Sequence, residues 1–569
     1  MNLFQKELHL FIEKELQKSH PLEGVSQPSK KKCLLALEKK DLTSSLETYH
    51  EFLKERSCLQ LEKLLEEDFS VDEFEKCSLP SRVIPHFYQK LPRNKNTHSS
   101  SVDEIKKNHA HFPSLKRHCI DKALLYFYEN LPIPTGKKVV LFTWVMSDGI
   151  GDYVAQYEAS QILKKALPGV DFYTISLLSS SARKQNLLFS EKSYHIYYKS
   201  EEDLHFSSFP QEVIHLLKDS DLVLQIPTFY PHWNDLVKEC SGGSFETLGE
   251  YGFVNSHWAH PSASKMRCMG LHFLEKGIFI KDMPANPFDH IPTRLHSLLF
   301  KDGSVQEYLE KNIFVFAYLV SFPGTHVFLH LFLSYFDSQE KDLNLGVTNL
   351  RWFLDLIKKE IFPFSEYRIK EIIFSLDGQE YSQVIGSSGK KLRIIDLSPL
   401  SLEESQILCS ISEEIMACRG DQSFSEAISA NKLYFYDPPA HARPFLQDLL
   451  ELAKNVVSDF PSSLSFLKGF LEIGEQENDL VRCKKLGKSL GKLLQKEKTK
   501  KGIYKLSQII QEKYSINPLL PGLVKQALLH RSNPKIKEEE EYWTQKLLSQ
   551  EVSLSVCLQK IQQFLLKQQ

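Results

Sequence analysis

No two of the ten cysteines stand three residues apart, so the chain has no C-x-x-C pair. That excludes a zinc ribbon and a thioredoxin-type site, and the scatter reads as reduced thiols in a cytosol-like compartment. There is no excess of charge of either sign: 70 Lys and Arg against 72 Asp and Glu give a net charge of -2. Such a balance provides no global field for nucleic acid or anionic lipid, and no nucleic-acid partner is expected. The first residues, "MNLFQKELHLFIEKELQKSH", carry charges throughout and hold no apolar core, so they do not read as a secretory signal. A cytoplasmic location is expected, with secretion as an effector left open. The one run long enough to span a membrane, "NIFVFAYLVSFPGTHVFLHLFLSYF" at 312–336, is interrupted by "PGTH" and contains His326 and His330. It reads as a strand, a Pro-Gly turn and a buried helix, not a span. No repeat of fixed period is found.

What remains is ordinary globular material in quantity. The 569 residues suggest three or four units at roughly 150 residues each. Apolar content of 42%, charged content of 25% and 37 phenylalanines supply ample core. Residues 1–130 read as helical, from apolar residues at three and four spacing in "LTSSLETYHEFLKERSCLQLEKLLEEDF". The texture changes at "LPIPTGKK". "VVLFTWVM", a glycine loop, "YVAQYEASQILKKAL" and "DFYTISLL" then give strand–loop–helix–strand, the start of a parallel α/β sheet. The first α/β domain is placed at 136–300. A second, at 305–455, follows from "NIFVFAYLV", "IKEIIFSLDG", "KLRIIDLS", "EEIMACRGD" and "KLYFYD". Residues 456–569 are helical again and include the basic run "LQKEKTKKGIYK", read as a solvated surface with a binding patch as the alternative. The expected fold class is α/β, with two Rossmann-like domains facing a cleft and helical regions at both ends.

Two loops carry chemistry. "VMSDGIGDYV" at 145–154 follows a strand and opens a helix, where free N–H groups and the helix dipole favour an anion. Gly149 and Gly151 allow close approach, but Val154 replaces the third glycine of a dinucleotide fingerprint. Asp171 also begins the second strand where that fingerprint has an acid ending it. No nicotinamide or other cofactor is expected. Asp148 and Asp152 frame the loop at the carboxyl end of the first strand; either acts as a general base, or Asp152 simply caps the helix. The second loop is "MACRGDQSFSEAISANKLYFYD" at 416–437. Ser423 and Glu426 match an S-x-x-E capping box. Asp421, Gln422 and Ser423 would line a diphosphate site at the helix start, with Arg419 and Gly420 beside it.

A third stretch, "GEYGFVNSHWAHPSASKMRCMGLHFLEKGIFI" at 249–280, reads as an ordered loop facing the cleft, with Glu250 as an alternative catalytic carboxylate. His257 and His260 have no carboxylate or cysteine to complete a set, so no metal site is expected. His326, after the first strand of the second domain, is either a donor or acceptor contact or a packing residue.

Together these residues resemble a GT-B glycosyltransferase, and most nearly the bacterial protein-arginine rhamnosyltransferases that modify elongation factor P. That family has a D-N-x-G-D-I-G loop and an R-G-E-D-S-F segment. Asp148, Gly151 and Asp152 match the first; Arg419, Gly420, Ser423 and Phe424 match the second, with Asp421-Gln422 in place of Glu-Asp. The resemblance implies two facing Rossmann-like domains, acceptor-side catalysis by Asp148 and Asp152, and donor binding on the second domain through Asp421, Gln422 and Ser423. The expected donor-binding set is completed by Gly149, Gly151, His326, Arg419, Gly420 and Glu426. The changed Glu-Asp pair means that neither rhamnose nor the elongation-factor acceptor carries over. The expected activity is inverting, metal-independent transfer from a nucleoside-diphosphate sugar, with a protein side chain among the acceptors that fit. A nucleotide-sugar epimerase and an inactive adaptor or effector are the alternatives.

Overall fold

The structure, a computed structural model, describes residues 114–568 apart from 132–134, 146–150, 180–191, 199–208, 229–243, 253–266, 273–274, 302, 351–352, 355–361, 377, 440–441, 476–478 and 550. The helical reading of 1–113 therefore lies outside the described residues. By compactness the chain divides into residues 133–521 and a second unit of 1–132 with 522–569. These divisions cut the chain differently from the four segments read from sequence.

In the second unit, the helix Ser114–Glu129 packs with Pro534–Leu548 and Leu554–Gln568 around Ile120, Leu124, Ile536, Leu547 and Ile561. Glu540 is buried there and accepts hydrogen bonds from Tyr128 Oη at 2.6 Å and Gln526 Nε2 at 3.0 Å.

The larger unit holds two sheets. β1 (Lys137–Val145) is buried from Val139 to Val145, as expected of a strand covered on both faces. It is followed by α1 (Gly151–Ala166), β2 (Val170–Ser179), β3 (Ser193–Tyr198), α2 (Gln211–Asp219), β4 (Leu222–Thr228), β5 (Ser244–Gly249) and the short β6 (Arg267–Cys268). All pairings are parallel, in the order β3-β2-β1-β4-β5-β6. This is the Rossmann strand order, and its direction reverses between β1 and β4. Val140, Phe142, Ile175, Leu177 and Val223 pack one face against Val213 and Leu217 of α2. On α1, the buried Gln156 donates to the carbonyls of Leu141 and Ile175 at 2.7 and 2.9 Å and accepts from Ser176 Oγ at 2.7 Å. The helix is thereby fixed to β1 and β2.

The second sheet is built from β7 (Asn312–Ala317), α3 (Phe322–Tyr335), β8 (Asp342–Val347), β9 (Ile369–Leu376), β10 (Gln379–Val384), β11 (Lys390–Asp396), α4 (Leu402–Ile411), β12 (Ile415–Cys418), α5 (Asp421–Ser429) and β13 (Leu433–Tyr436). Its order is β10-β9-β11-β8-β7-β12-β13, parallel except for the edge strand β10. Here the reversal lies between β7 and β12. The apolar run at 312–336 becomes β7 and α3, which is buried from Gly324 to Leu333. Pro323 and Gly324 do not form a turn ahead of the helix. They sit in its first turn, where proline is tolerated, with Ser321 Oγ accepting from Gly324 N–H at 3.0 Å. Among the described residues, no helix is long and apolar enough to cross a membrane.

After α6 (Arg443–Val456), α7 (Leu480–Leu494) crosses α3 at very short range and α8 (Glu497–Lys513) returns the chain. Beyond α8, Tyr514–Asn517 runs beside the linker between the sheets: Ile278 N–H donates to Tyr514 O at 2.7 Å and Ile516 N–H to Ile278 O at 2.9 Å. The α3–α7 crossing depends on glycines. A Cβ at Gly487 would stand 2.4 Å from Val327 O, and one at Gly491 2.7 Å from Ser334 Cβ. Gly487→Ala is expected to destabilise the protein by about 1–3 kcal/mol in chemical denaturation, because overpacking at a backbone contact outweighs alanine's helix propensity.

Candidate functional site

Open α/β sheets bind ligands outside the carboxyl ends of their strands, where strand order reverses. In the first sheet that position carries the loop from β1 into α1; in the second it carries the loops after β7 and β12. Asp148 and Gly149 belong to residues outside those described. Gly151 is the exposed first residue of α1, with nothing among the described residues within 4 Å of the position of a Cβ.

The second-sheet loop departs from the capping box read in the sequence. α5 starts at Asp421, and its N-cap is Gly420 at φ 79°, with no side-chain cap. This left-handed conformation is cheap only for glycine, which moves the helix start upstream of Ser423. Ser423 turns back instead: its Oγ donates to Arg419 O at 2.7 Å and accepts from Arg419 N–H at 2.8 Å. The first intrahelical bond is Phe424 N–H to Gly420 O at 3.2 Å. The N–H groups of Asp421, Gln422 and Ser423 therefore have no hydrogen-bond partner among the described residues, at the positive end of α5. Among the described residues nothing lies within 4 Å of a Cβ at Gly420, and Gln422 Oε1 is buried with no hydrogen-bond partner.

Three carboxylates meet where the two sheets face each other: Asp152 on the first turn of α1, Glu250 just after β5, and Asp421 at the start of α5. Burial raises Asp152 to about 7. Burial, and then the charge of Asp152, raises Asp421 to about 7, against the pull of a hydrogen bond from Tyr251 N–H at 3.3 Å. Burial followed by the charges of Asp152 and Asp421 pushes Glu250 well above the carboxylate range. Near neutral pH the group therefore holds protons and ionised carboxylates side by side, the arrangement that supports both acid and base chemistry.

The loop after β5 docks on the second sheet's helices. Tyr251 Oη lies 2.8 Å from Ser425 Oγ and accepts from Phe279 N–H at 2.8 Å, and its ring packs 5.4 Å from that of Phe445. Gly252, at φ 72°, lies where a Cβ would stand 2.6 Å from Phe445 N. The side chain of Lys281, on the linker, is 1% exposed and reaches Glu426 of α5 at 3.0 Å and Glu158 of α1 at 3.4 Å. Burial works against its charge, but the two carboxylates hold its pKa raised. Glu426, read in the sequence as a helix cap and donor contact, is spent on this ion pair and on Ser405 Oγ at 3.0 Å.

Arg419 donates to the buried Asp437 at 2.7 Å, which also accepts from Ser321 Oγ at 2.7 Å. The other guanidinium N–H groups make no hydrogen bond among the described residues. His326 is not presented to the cleft. It is 1% exposed on α3, with its ring against Phe322, His330 and Phe362, and burial lowers its pKa to about 4. It packs as a neutral ring. The structure thus brings Gly151, Asp152, Glu250, Gly420, Asp421, Gln422 and Ser423 to one region, while His257 and His260 lie outside the described residues. Among the described residues no cluster of His, Cys, Asp and Glu suits a metal ion. Tyr251 belongs to the 249–280 loop expected to face the cleft, whereas Glu158 and Lys281 were not singled out from sequence; a lone lysine after the apolar "GIFI" was the available signal.

No family model and no curated protein matches the chain. Solved structures resemble it distantly. A glycosyltransferase from Rickettsia africae ESF-5 aligns at 11% identity over 69% of this chain and 99% of that one, with a TM-score of 0.37. The N-terminal domain of Candida albicans trehalose-6-phosphate phosphatase aligns at 10% over 70% and 98%, with a TM-score of 0.38. An E. coli heptosyltransferase with ADP-2-deoxy-2-fluoro heptose aligns at 13% over 52% and 88%, with a TM-score of 0.29. At TM-scores under 0.5 these likenesses assign neither family nor reaction.

Two predictions follow from the carboxylates and the linker lysine. Between the unfolded aspartate value of about 3.9 and the folded value of about 7, the folded state keeps a proton that the unfolded chain has lost. The stability associated with that proton therefore falls as pH rises through this window. Asp152→Asn should raise the melting temperature at pH 8 and change it little at pH 4. Lys281→Met leaves two buried carboxylates unpaired and should cost about 3–5 kcal/mol in urea unfolding, most of it recovered when Glu158→Gln and Glu426→Gln are added.

Proposed function

We propose that the cleft transfers a sugar from a nucleoside-diphosphate sugar to an acceptor, with inversion and without a metal. The observation that carries this reading is the meeting of two helix starts, one from each Rossmann-like sheet at its switch point, with Asp152, Glu250 and Asp421 between them. In this reading the donor diphosphate lies at the start of α5, on the free N–H groups of Asp421, Gln422 and Ser423, with Gly420 allowing close approach and Arg419 adding charge. Those donors stabilise the negative charge that grows on the leaving diphosphate. The acceptor enters from the first sheet past Gly151, and Asp152 removes its proton, with Asp148 the second aspartate of that loop. Glu250, held well above the usual carboxylate range by burial and then by Asp152 and Asp421, is the acid beside that base. A protein side chain is one acceptor that fits this reading.

The protonated Glu250 beside an ionisable aspartate also favours a second reading, a nucleotide-sugar epimerase, which needs an acid and a base around one sugar. The two part on a simple product analysis. An epimerase converts donor alone into a stereoisomeric donor; a transferase releases nucleoside diphosphate.

Thermal-shift measurements with uridine, guanosine, adenosine, cytidine and thymidine diphosphates and their sugars are expected to show stabilisation by one nucleotide class. No stabilisation by any of them would sink the donor site. With the matching donor, Asp152→Asn should lower transfer or donor hydrolysis by about 100- to 10 000-fold. In the wild type kcat/KM should fall as pH drops below about 7, as Asp152 takes up its proton, and EDTA should change nothing.

A further inference from the structure

The near-neutral net charge conceals a strongly uneven surface. Residues 480–505 carry ten lysines and arginines against the single acid Glu497. They form α7, the turn after it and the first half of α8. One side of α7 is spoken for: Cys483, Leu486, Gly487, Leu490, Gly491 and Leu494 are buried. The other side presents Arg482, Lys485, Ser489 and Lys492, spaced three, four and three apart and all exposed. This spacing keeps them on one helix face over about 15 Å. Lys496, Lys498 and Lys501, also exposed, extend the cationic surface through the turn. Lys484 and Lys488 share one carboxylate, Glu366, at 2.6 and 2.7 Å, and Lys500 pairs with Glu414 at 2.9 Å. Arg482, Lys485, Lys492, Lys496, Lys498 and Lys501 make no ion pair among the described residues.

We propose that this face docks the protein peripherally on an anionic phospholipid surface. Three observations favour lipid over nucleic acid. Nine of the ten cations are lysine, a diffuse point charge suited to a field of headgroups, where bidentate phosphate recognition would favour arginine. The stretch offers no aromatic platform for bases, since its one aromatic, Tyr504, is half-buried with its hydroxyl bonded to Glu414 at 3.0 Å. Val481, 77% exposed beside Arg482, is an apolar side chain next to the cations, able to enter the headgroup layer. The attachment is independent of the reaction in the cleft, so it stands or falls separately from the transferase reading.

The test is flotation of the full chain with phosphatidylcholine vesicles, with and without phosphatidylserine, at low and high salt. Binding should require phosphatidylserine and weaken strongly when salt shortens the Debye length. Lys485→Glu/Lys492→Glu/Lys496→Glu should lower vesicle affinity at least about 100-fold with an unchanged melting curve. The matching triple glutamine variant should fall between it and wild type, which keeps the test valid if charge reversal disturbs folding. Equal binding to neutral vesicles, or binding retained by both variants, overturns the proposal. Tighter binding to a duplex or single-stranded oligonucleotide than to vesicles at the same salt also overturns it and reassigns the face to nucleic acid.

Discussion

One buried ammonium holds the two sheets in their working relation. Lys281 leaves the linker and enters the space between α1 and α5, where Glu158 and Glu426 surround it. Both carboxylates lie on the helices that begin at the cleft: Asp152 is six residues before Glu158, and Asp421 five before Glu426. Fixing the middle of each helix fixes where its first turn points. A buried ion pair of this kind adds little net stability against an apolar substitute, but it penalises any arrangement that separates the charges. The ion triad thus ties α1 of the first sheet to α5 of the second through one side chain of the linker. Tyr251 and the strand-like pairing of Tyr514–Asn517 act in the same sense, tying the linker from two sides.

The same arrangement explains how three carboxylates are tolerated together. None of them has a cation partner in the cleft among the described contacts; burial alone raises Asp152, and burial followed by neighbouring charge raises Glu250 and Asp421. Alone, such a cluster would push the domains apart as pH rises. The ion triad of Lys281, Glu158 and Glu426 joins the same two helices and opposes that separation. Strain of this sort belongs to sites shaped for a ligand more than to packing.

Much of this organisation was legible in the sequence wherever the signal was local. Strand–glycine loop–helix units announced both sheets, and the two loops at their switch points were found from "SDGIGDY" and "RGDQSF". What failed was local in appearance but decided elsewhere. Ser423 and Glu426 have capping-box spacing, yet Gly420 adopts a left-handed conformation that starts the helix earlier, and Glu426 is claimed by a lysine 145 residues away. His326 follows a strand as a ligand contact would, but Phe362 and His330 close around it. The interleaved position of β11 between β8 and β9 rests on pairings no window of sequence contains.

Asp437 closes the second sheet at the cleft end. It receives Arg419 from the loop after β12 and Ser321 from the start of α3, and Gly324 lies so near that any Cβ would stand 2.3 Å from its carboxyl carbon. Four positions scattered over more than a hundred residues thus share one contact, and none can drift alone. Substituting any one of the four leaves the buried carboxylate short of a partner or of room, so the contact tolerates change only when its neighbours change with it.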